Sequence, residues 1–243
     1  MPPSLPPSDW GRADLHVHPL SSVNADYKPQ PMLEQLLRSS LDVVAITEHD
    51  RTDLAFDLAA RLEAAGSNID VIIGAEVTTS EGHLLALFLQ SNIPVGLSPA
   101  EAIANIHAQG GLAIIAHPLL PSASCLSGRQ IRQLMQSRDH QRPDAIETHN
   151  SIALVAPLQA RLAQTLAKQL SLAQVGGSDA HGPDMLGNCT TRFPGRGAGE
   201  LRLAIENRLS VGEGRASETL WQNIGAFPAR WLSAHRARQT VDE

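Results

Sequence analysis

The sequence predicts an α/β fold, a distorted barrel of seven strands wrapped by helices, and three observations carry that prediction. Short apolar runs such as Val43-Val44-Ala45-Ile46 and Leu84 to Leu89 alternate with longer amphipathic segments, the pattern of buried strands joined by helices. Aromatic residues make up only 3% of the chain against 42% hydrophobic residues, so the core must be built from Leu, Ile, Val and Ala, which suits a helix-covered parallel sheet. Seven of the ten histidines stand at the ends of apolar runs, and barrels of this kind collect their functional groups at the carboxyl ends of the strands.

The elements follow in order. Residues 1–11 read as a Pro-rich disordered leader. Ala13 to Val17 is the first strand, and it delivers His16 and His18. Met32 to Ser40 is a helix with Leu33, Leu36 and Leu37 on one stripe, and Asp42 to Thr47 is a second strand ending at Glu48, His49 and Asp50. A helix from Leu54 to Ala65 closes on Gly66. The third strand, Asp70 to Gly74, leads to Glu76. The polar turn Thr78 to Gly82 is too short for a helical crossover, so the next strand, Leu84 to Leu89, is antiparallel to it and Glu76 can meet His83. Ser98-Pro99-Ala100-Glu101 starts a helix with a capping box, and Gly110-Gly111 ends it. His107 inside that helix reads as structural or solvated. Leu112 to Ala116 is a strand ending in His117-Pro118; Gly128 to Arg138 a helix; Asp144 to Thr148 a strand ending near His149; Pro157 to Leu170 a helix. Leu172 to Val175 is the seventh strand, running through Gly176-Gly177 into Ser178-Asp179-Ala180-His181, and Glu200 to Arg208 is the last helix.

Charge and cysteine content narrow the function. A net charge of −6 disfavours a broad basic groove for long nucleic acid and leaves small anionic substrates open, since bound cations can make a site locally positive. Cys125 and Cys189 have no CxxC spacing and read as ordinary thiols of a reducing compartment. No leader-type apolar segment and no run of 18 apolar residues occurs, so the expected location is cytoplasmic, with no membrane partner.

His16-Val17-His18 places two imidazoles on one face of an extended segment, because strand side chains alternate with period two. Together with Thr47-Glu48-His49-Asp50, Gly74-Ala75-Glu76, His83, His117-Pro118 and Ser178-Asp179-Ala180-His181, it resembles the polymerase and histidinol phosphatase (PHP) family, whose motifs these match in order over roughly 70% of the chain. The resemblance implies a PHP-type barrel over residues 12–212, with a C-terminal extension, 213–243, packing on it or trailing from it. It also implies two to three divalent metal ions, Mn, Zn or Fe. His16, His18, Glu76 and Asp179 would surround the first; Glu76 would bridge to a second held by His83 and His117; His49 and His181 would hold a third. The sequence departs from the family at the last ligand of that third site: its first acid after the HxH, Asp26, stands eight residues beyond His18 and either folds back to complete the site or is a solvated loop carboxylate. Glu76 and Asp179 are the expected catalytic pair.

The implied activity is hydrolysis of a phosphate ester, with a water acidified between the metals as nucleophile. The alternatives are an amidohydrolase-type C–N hydrolase, or a metal-binding regulatory domain without turnover. The first often bridges its metals with a carboxylated lysine, yet Lys28 and Lys168, the chain's two lysines, end no strand. The second is disfavoured because structural zinc cages are Cys-rich and closed. The expected partner is a small phosphorylated substrate or a short oligonucleotide. Arg51 and His149 are candidate substrate contacts, Arg192 could also grip phosphate, and Glu147 is left open.

Overall fold

The computed structural model describes residues 10–19, 29–151 and 156–214. Residues 1–9 of the expected leader, Asp26, and residues 215–243 of the expected C-terminal extension lie outside the described residues, whereas Trp10 and Gly11 of that leader and Glu213 and Gly214 of that extension belong to strands. The strands are β1 (Trp10–Val17), β2 (Val43–Ile46), β3 (Asp70–Thr78), β4 (His83–Leu87), β5 (Leu112–Ile115), β6 (Ala145–Asn150), β7 (Ala173–Gly177), β8 (Cys189–Pro194) and β9 (Val211–Gly214). The helices are α1 (Pro29–Arg38), α2 (Asp53–Ala64), α3 (Pro99–Ala108), α4 (Gly128–Leu134), α5 (Ala156–Leu170) and α6 (Ala198–Glu206).

Local signals explain the helix ends. Ser98 caps α3 in a reciprocal box with Glu101, and Pro99 supplies the first turn. Gly66, at φ 69°, ends α2 in a Schellman arrangement: Gly66 N–H donates to Glu63 O at 2.9 Å and Ser67 N–H to Leu62 O at 3.0 Å. His107 is half-buried on α3, bonded to Asp144 Oδ2 at 2.9 Å and to the His140 carbonyl at 3.0 Å, so it ties α3 to the start of β6.

One sheet runs in the order β7-β6-β5-β4-β3-β2-β1-β8-β9. The β3–β4 hairpin forms as expected, with Thr78 opposite His83, and β4 is antiparallel to β5 as well. The sheet curls until its β7 edge returns to β1 and β8. His18 N–H donates to Ala180 O at 2.9 Å, Ala180 N–H to His16 O at 3.2 Å, and Gly176 N–H to Thr191 Oγ1 at 2.9 Å. The barrel is thereby nearly closed.

Among the described residues nine strands replace the seven expected. Cys189–Pro194 is mostly polar and Val211–Gly214 holds one large apolar residue, so neither carries the hydrophobic run that marks a strand in sequence. Pairing makes them strands: β8 runs antiparallel to β1, and β9 antiparallel to β8. Alternation then sorts the apolar side chains. Ala13, Leu15, Val43, Ala45, Leu85, Ile114 and Phe193 fill the barrel, with Leu201 and Ile205 of α6 packed on them. Val44 and Ile46 face outward against α1 and α2, and Leu84 and Ala86 against α3 and its neighbours. Among the described residues no helix is long and apolar enough to cross a membrane.

Candidate metal centre

The carboxyl ends of the parallel strands open on one rim, and the antiparallel β4 begins there, so it presents His83 at the same level. Eight residues singled out from the sequence converge at this rim: His16, His18, His49, Glu76, His83, His117, Asp179 and His181. Glu76 is the centre, 1% exposed. Its Oε1 is 2.8 Å from His83 Nδ1 and 2.8 Å from His117 Nε2. Its Oε2 is 3.1 Å from His49 Nδ1, 3.4 Å from His18 Nε2 and 3.5 Å from His16 Nε2. Asp179 Oδ1 closes the other side, 3.2 Å from His18 Nε2 and 3.5 Å from both His16 Nε2 and His181 Nδ1.

Two features mark this as a site built for cations. His16 Nε2, His18 Nε2 and His49 Nδ1 are buried without a hydrogen-bond partner, although carboxylate oxygens stand 3.1–3.5 Å away; the angles are wrong for hydrogen bonds. Orphaned buried polar atoms are costly, and a cation between imidazole lone pairs and carboxylates satisfies them together. Ligand atoms about 2 Å from one ion lie about 3–4 Å apart, the spacing found here. Four sets of three ligand atoms lie within 4.8 Å of one another: His16, His18 and Glu76; His49, Glu76 and His83; His16, His117 and Asp179; and His18, His49 and His181. His49 thus stands beside Glu76 and His83 as well as beside His181, a broader position than the sequence implied. Asp179 and His117 also take left-handed backbone conformations, φ 53° and 24°, which non-glycine residues adopt at a cost.

The sequence missed what holds these ligands. Glu147, wholly buried on β6, lies 3.2 Å from His16 Nδ1 and accepts from the His117 N–H at 2.7 Å. Glu48 lies 3.4 Å from His18 Nδ1. Each carboxylate takes the far nitrogen of an imidazole and leaves Nε2 aimed inward, the tautomer a ligand needs. Asn150 Nδ2 donates to Glu147 Oε2 at 3.0 Å and to Asp179 Oδ2 at 3.2 Å. Asp14, pushed up to about 6 by burial, accepts backbone N–H groups of His16, Ser178 and Gly187 and so fixes β1 against the Ser178-Asp179 turn. Glu147→Gln is therefore expected to weaken metal binding about 10–100-fold, with the fold intact in a circular-dichroism melt. Unchanged affinity would remove Glu147 from the centre.

Protonation competes with metal. Burial alone would push His18 down, but the facing carboxylates of Asp179, Glu48 and Glu76 outweigh it and raise His18 to about 9. Burial opposes His16 and His117 likewise; Asp179, Glu147 and Glu76 hold His16 well above its ordinary value, and Cys125 and Glu76 do the same for His117. For Glu76, burial acts upward, yet the facing imidazoles hold it well below the usual carboxylate range. His49 is lowered to about 4 by burial. Groups raised in this way stay protonated near neutrality, and a ligating imidazole must be neutral. Affinity is therefore expected to rise from pH 6 through about pH 9 in zinc or manganese titrations, by about tenfold per pH unit for each proton displaced. A flat profile would reject it.

Of the candidate substrate contacts, Arg51 is half-buried and engaged with Asp53, its Nε 2.7 Å from Oδ1. His149 belongs to none of the ligand sets and lines an outer cavity with Arg192.

Comparison with known proteins agrees with this fold. The PHP domain profile matches residues 14–172, and the PHP-associated profile matches residues 157–208. An uncharacterized protein of Methanocaldococcus jannaschii is 36% identical over 128 residues, 49% of this chain and 74% of its own. Among solved structures, a two-domain Bacteroides vulgatus protein containing a predicted PHP-like metal-dependent phosphoesterase superposes with a TM-score of 0.65 at 21% identity. That match takes in 84% of this chain, and this chain spans 65% of that protein. PsfC from Pseudomonas syringae gives 0.64 at 19%, covering 96% of this chain and 99% of that one. The lesion-specific endonuclease EndoQ from Pyrococcus furiosus gives 0.57 at 18%, covering 82% and 56%. The ordered motifs, the barrel and the profile match over most of the chain lead to one conclusion: this chain belongs to the PHP domain family.

Proposed function

We propose that this protein is a hydrolase of phosphate esters that depends on a cluster of two to three divalent metal ions, Mn, Zn or Fe. The observation that carries the reading is the division of labour at Glu76: one oxygen faces His83 and His117, the other faces His16, His18 and His49. A carboxylate so placed can serve two cations at once. Asp179 joins His16 and His18 on one side, and His181 joins His49 and His18 on the other. Asp26 is retained as the carboxylate for that last set, although it lies outside the described residues.

Bound there, divalent cations would supply Lewis acidity, which brings water towards ionisation at neutral pH and offsets charge on a phosphoryl group. The chain's own residues do the rest. Glu147 and Glu48 fix the inward nitrogens of His16 and His18, and Asn150 holds Asp179, while the partly exposed His49, His83 and His181 leave one side of the cluster open to water and substrate. The site supports a phosphate ester over a C–N bond: Glu76 stands where an amidohydrolase often uses a modified lysine as its bridge, and Lys168 lies on α5, away from the strand ends. Solved structures of similar fold include a protein containing a predicted phosphoesterase, EndoQ seen with a DNA duplex carrying an abasic lesion at its active site, and an amidohydrolase from Chromobacterium violaceum, so the choice rests on the site and not on the fold. With a net charge of −6, the favoured substrate here is a small phosphorylated molecule or a short oligonucleotide.

The test is a panel of phosphomonoesters, phosphodiesters and short oligonucleotides, alongside amide and lactone substrates, assayed with each metal. Metal-dependent release of phosphate or cleavage of a phosphodiester is the expected result. Turnover of amides alone would overturn the reading.

A further inference from the structure

We propose that the outer face of β1 and β8 carries a second, separate binding site, in which Arg12 and Arg192 take the phosphate group of a small molecule. The two arginines are directly opposite each other in the antiparallel β1–β8 register, so their side chains leave the sheet on the same face. That face is the outer one, because their sequence neighbours Ala13 and Phe193 fill the barrel. Both arginines line a cavity of about 600 Å³, together with His149, Gln164, Asn188 and Thr190. Such a volume lies within the range that small-molecule ligands occupy.

Charge is what makes the cavity a site. Like charges facing each other across a strand pair are unfavourable unless a counter-charge lies between them. Here the protein supplies none to either guanidinium among the described residues. The Arg12 guanidinium is held only by neutral oxygens: Nε donates to Thr190 Oγ1 at 3.2 Å, one terminal nitrogen to Ser40 Oγ at 3.2 Å and the other to Gly187 O at 2.8 Å. Arg192 is half-buried, and its guanidinium makes no hydrogen bond or ion pair among the described residues. Glu213 stands at the same cavity without pairing to either, so two guanidinium charges face one carboxylate. The planar fork of arginine matches phosphate oxygens two at a time, and the amides of Asn188 and Gln164 are placed to meet what the phosphate is attached to.

None of the lining residues belongs to the metal ligand sets, so this site stands or falls apart from the proposed hydrolysis. It also gives His149 and Arg192 a common location that the sequence could not show.

Calorimetric titration of the chelator-stripped protein with pyrophosphate tests the proposal, with Glu76→Gln as the background so that phosphate capture by bound metal does not mask the outer site. One class of sites is expected in that background. Adding Arg192→Gln should weaken it by about tenfold or more, the effect of losing one charge-assisted hydrogen bond, and Arg192→Lys should fall between the two. Because the Arg192 guanidinium bonds to nothing else described and faces the like charge of Arg12, the melting temperature should not fall. Arg138→Gln, which removes an exposed arginine elsewhere, should leave binding as it was. The proposal is overturned if pyrophosphate does not bind in the Glu76→Gln background, if Arg192→Gln binds it undiminished, or if Arg138→Gln weakens it equally.

Discussion

Replacing Glu76 by glutamine is expected to cost the protein at least one metal ion per chain and to lower phosphoester turnover by about a thousandfold or more. The amide keeps the size of the side chain but not its charge, and only one of its two terminal atoms can accept a cation. In the native chain both oxygens work, Oε1 toward His83 and His117 and Oε2 toward His16, His18 and His49. Several kcal/mol of charge stabilisation disappear with the carboxylate, which sets the size of the expected rate loss. Elemental analysis of protein never exposed to chelator gives the metal content, and a phosphate-release assay the turnover. A variant that keeps both at wild-type level would show that Glu76 is not shared between ions.

A single methyl group at Gly177 is expected to damage the same centre without replacing any ligand. A Cβ built there would lie 2.4 Å from His16 Cβ and 2.8 Å from both Glu147 Oε1 and His16 N. Contacts that close do not persist, and two of the three involve parts of β1 that cannot swing aside. β1 must therefore shift away from β7, carrying His16 with it and separating it from Glu147. Overpacking of this kind costs about 1–3 kcal/mol, so Gly177→Ala should melt several degrees lower and lose metal affinity together. Gly199→Ala is the control: nothing lies within 4 Å of its added Cβ, and on α6 an alanine should be neutral or stabilising by about 0.5–1 kcal/mol. If Gly177→Ala binds metal and melts like the wild type, the tight β1–β7 seam is not what holds His16.

Much of the metal centre was legible because its signals are local. The period-two spacing of His16 and His18 requires only an extended backbone, and the short turn from Thr78 to Gly82 compels a hairpin that brings His83 to Glu76. His107 could be set aside for the same kind of reason, since it sits within a helix rather than at a strand end. Glu147 and His149 show where local reading stops. Both stand at the end of one strand, two residues apart, and strict alternation would put them on the same face. The register of β6 against β7 shifts between them, and Glu147 turns to His16 while His149 turns to the outer cavity. That irregularity leaves no mark in the residue types.

The sequence by itself determined the fold class, the order of the helices and inner strands, and the set of imidazoles and carboxylates that gather at one rim, because periodicity, capping residues and strand-end placement are properties of short segments. Only the tertiary structure decided the strand count and the roles of the buried acids. β8 and β9 are too polar to declare themselves and exist because β1 offers an edge to pair with. Glu147, Glu48 and Asp14 are ordinary acids until the closing barrel removes water from them and sets them against His16, His18 and the Ser178-Asp179 turn, where an unpaired charge would be too costly to keep.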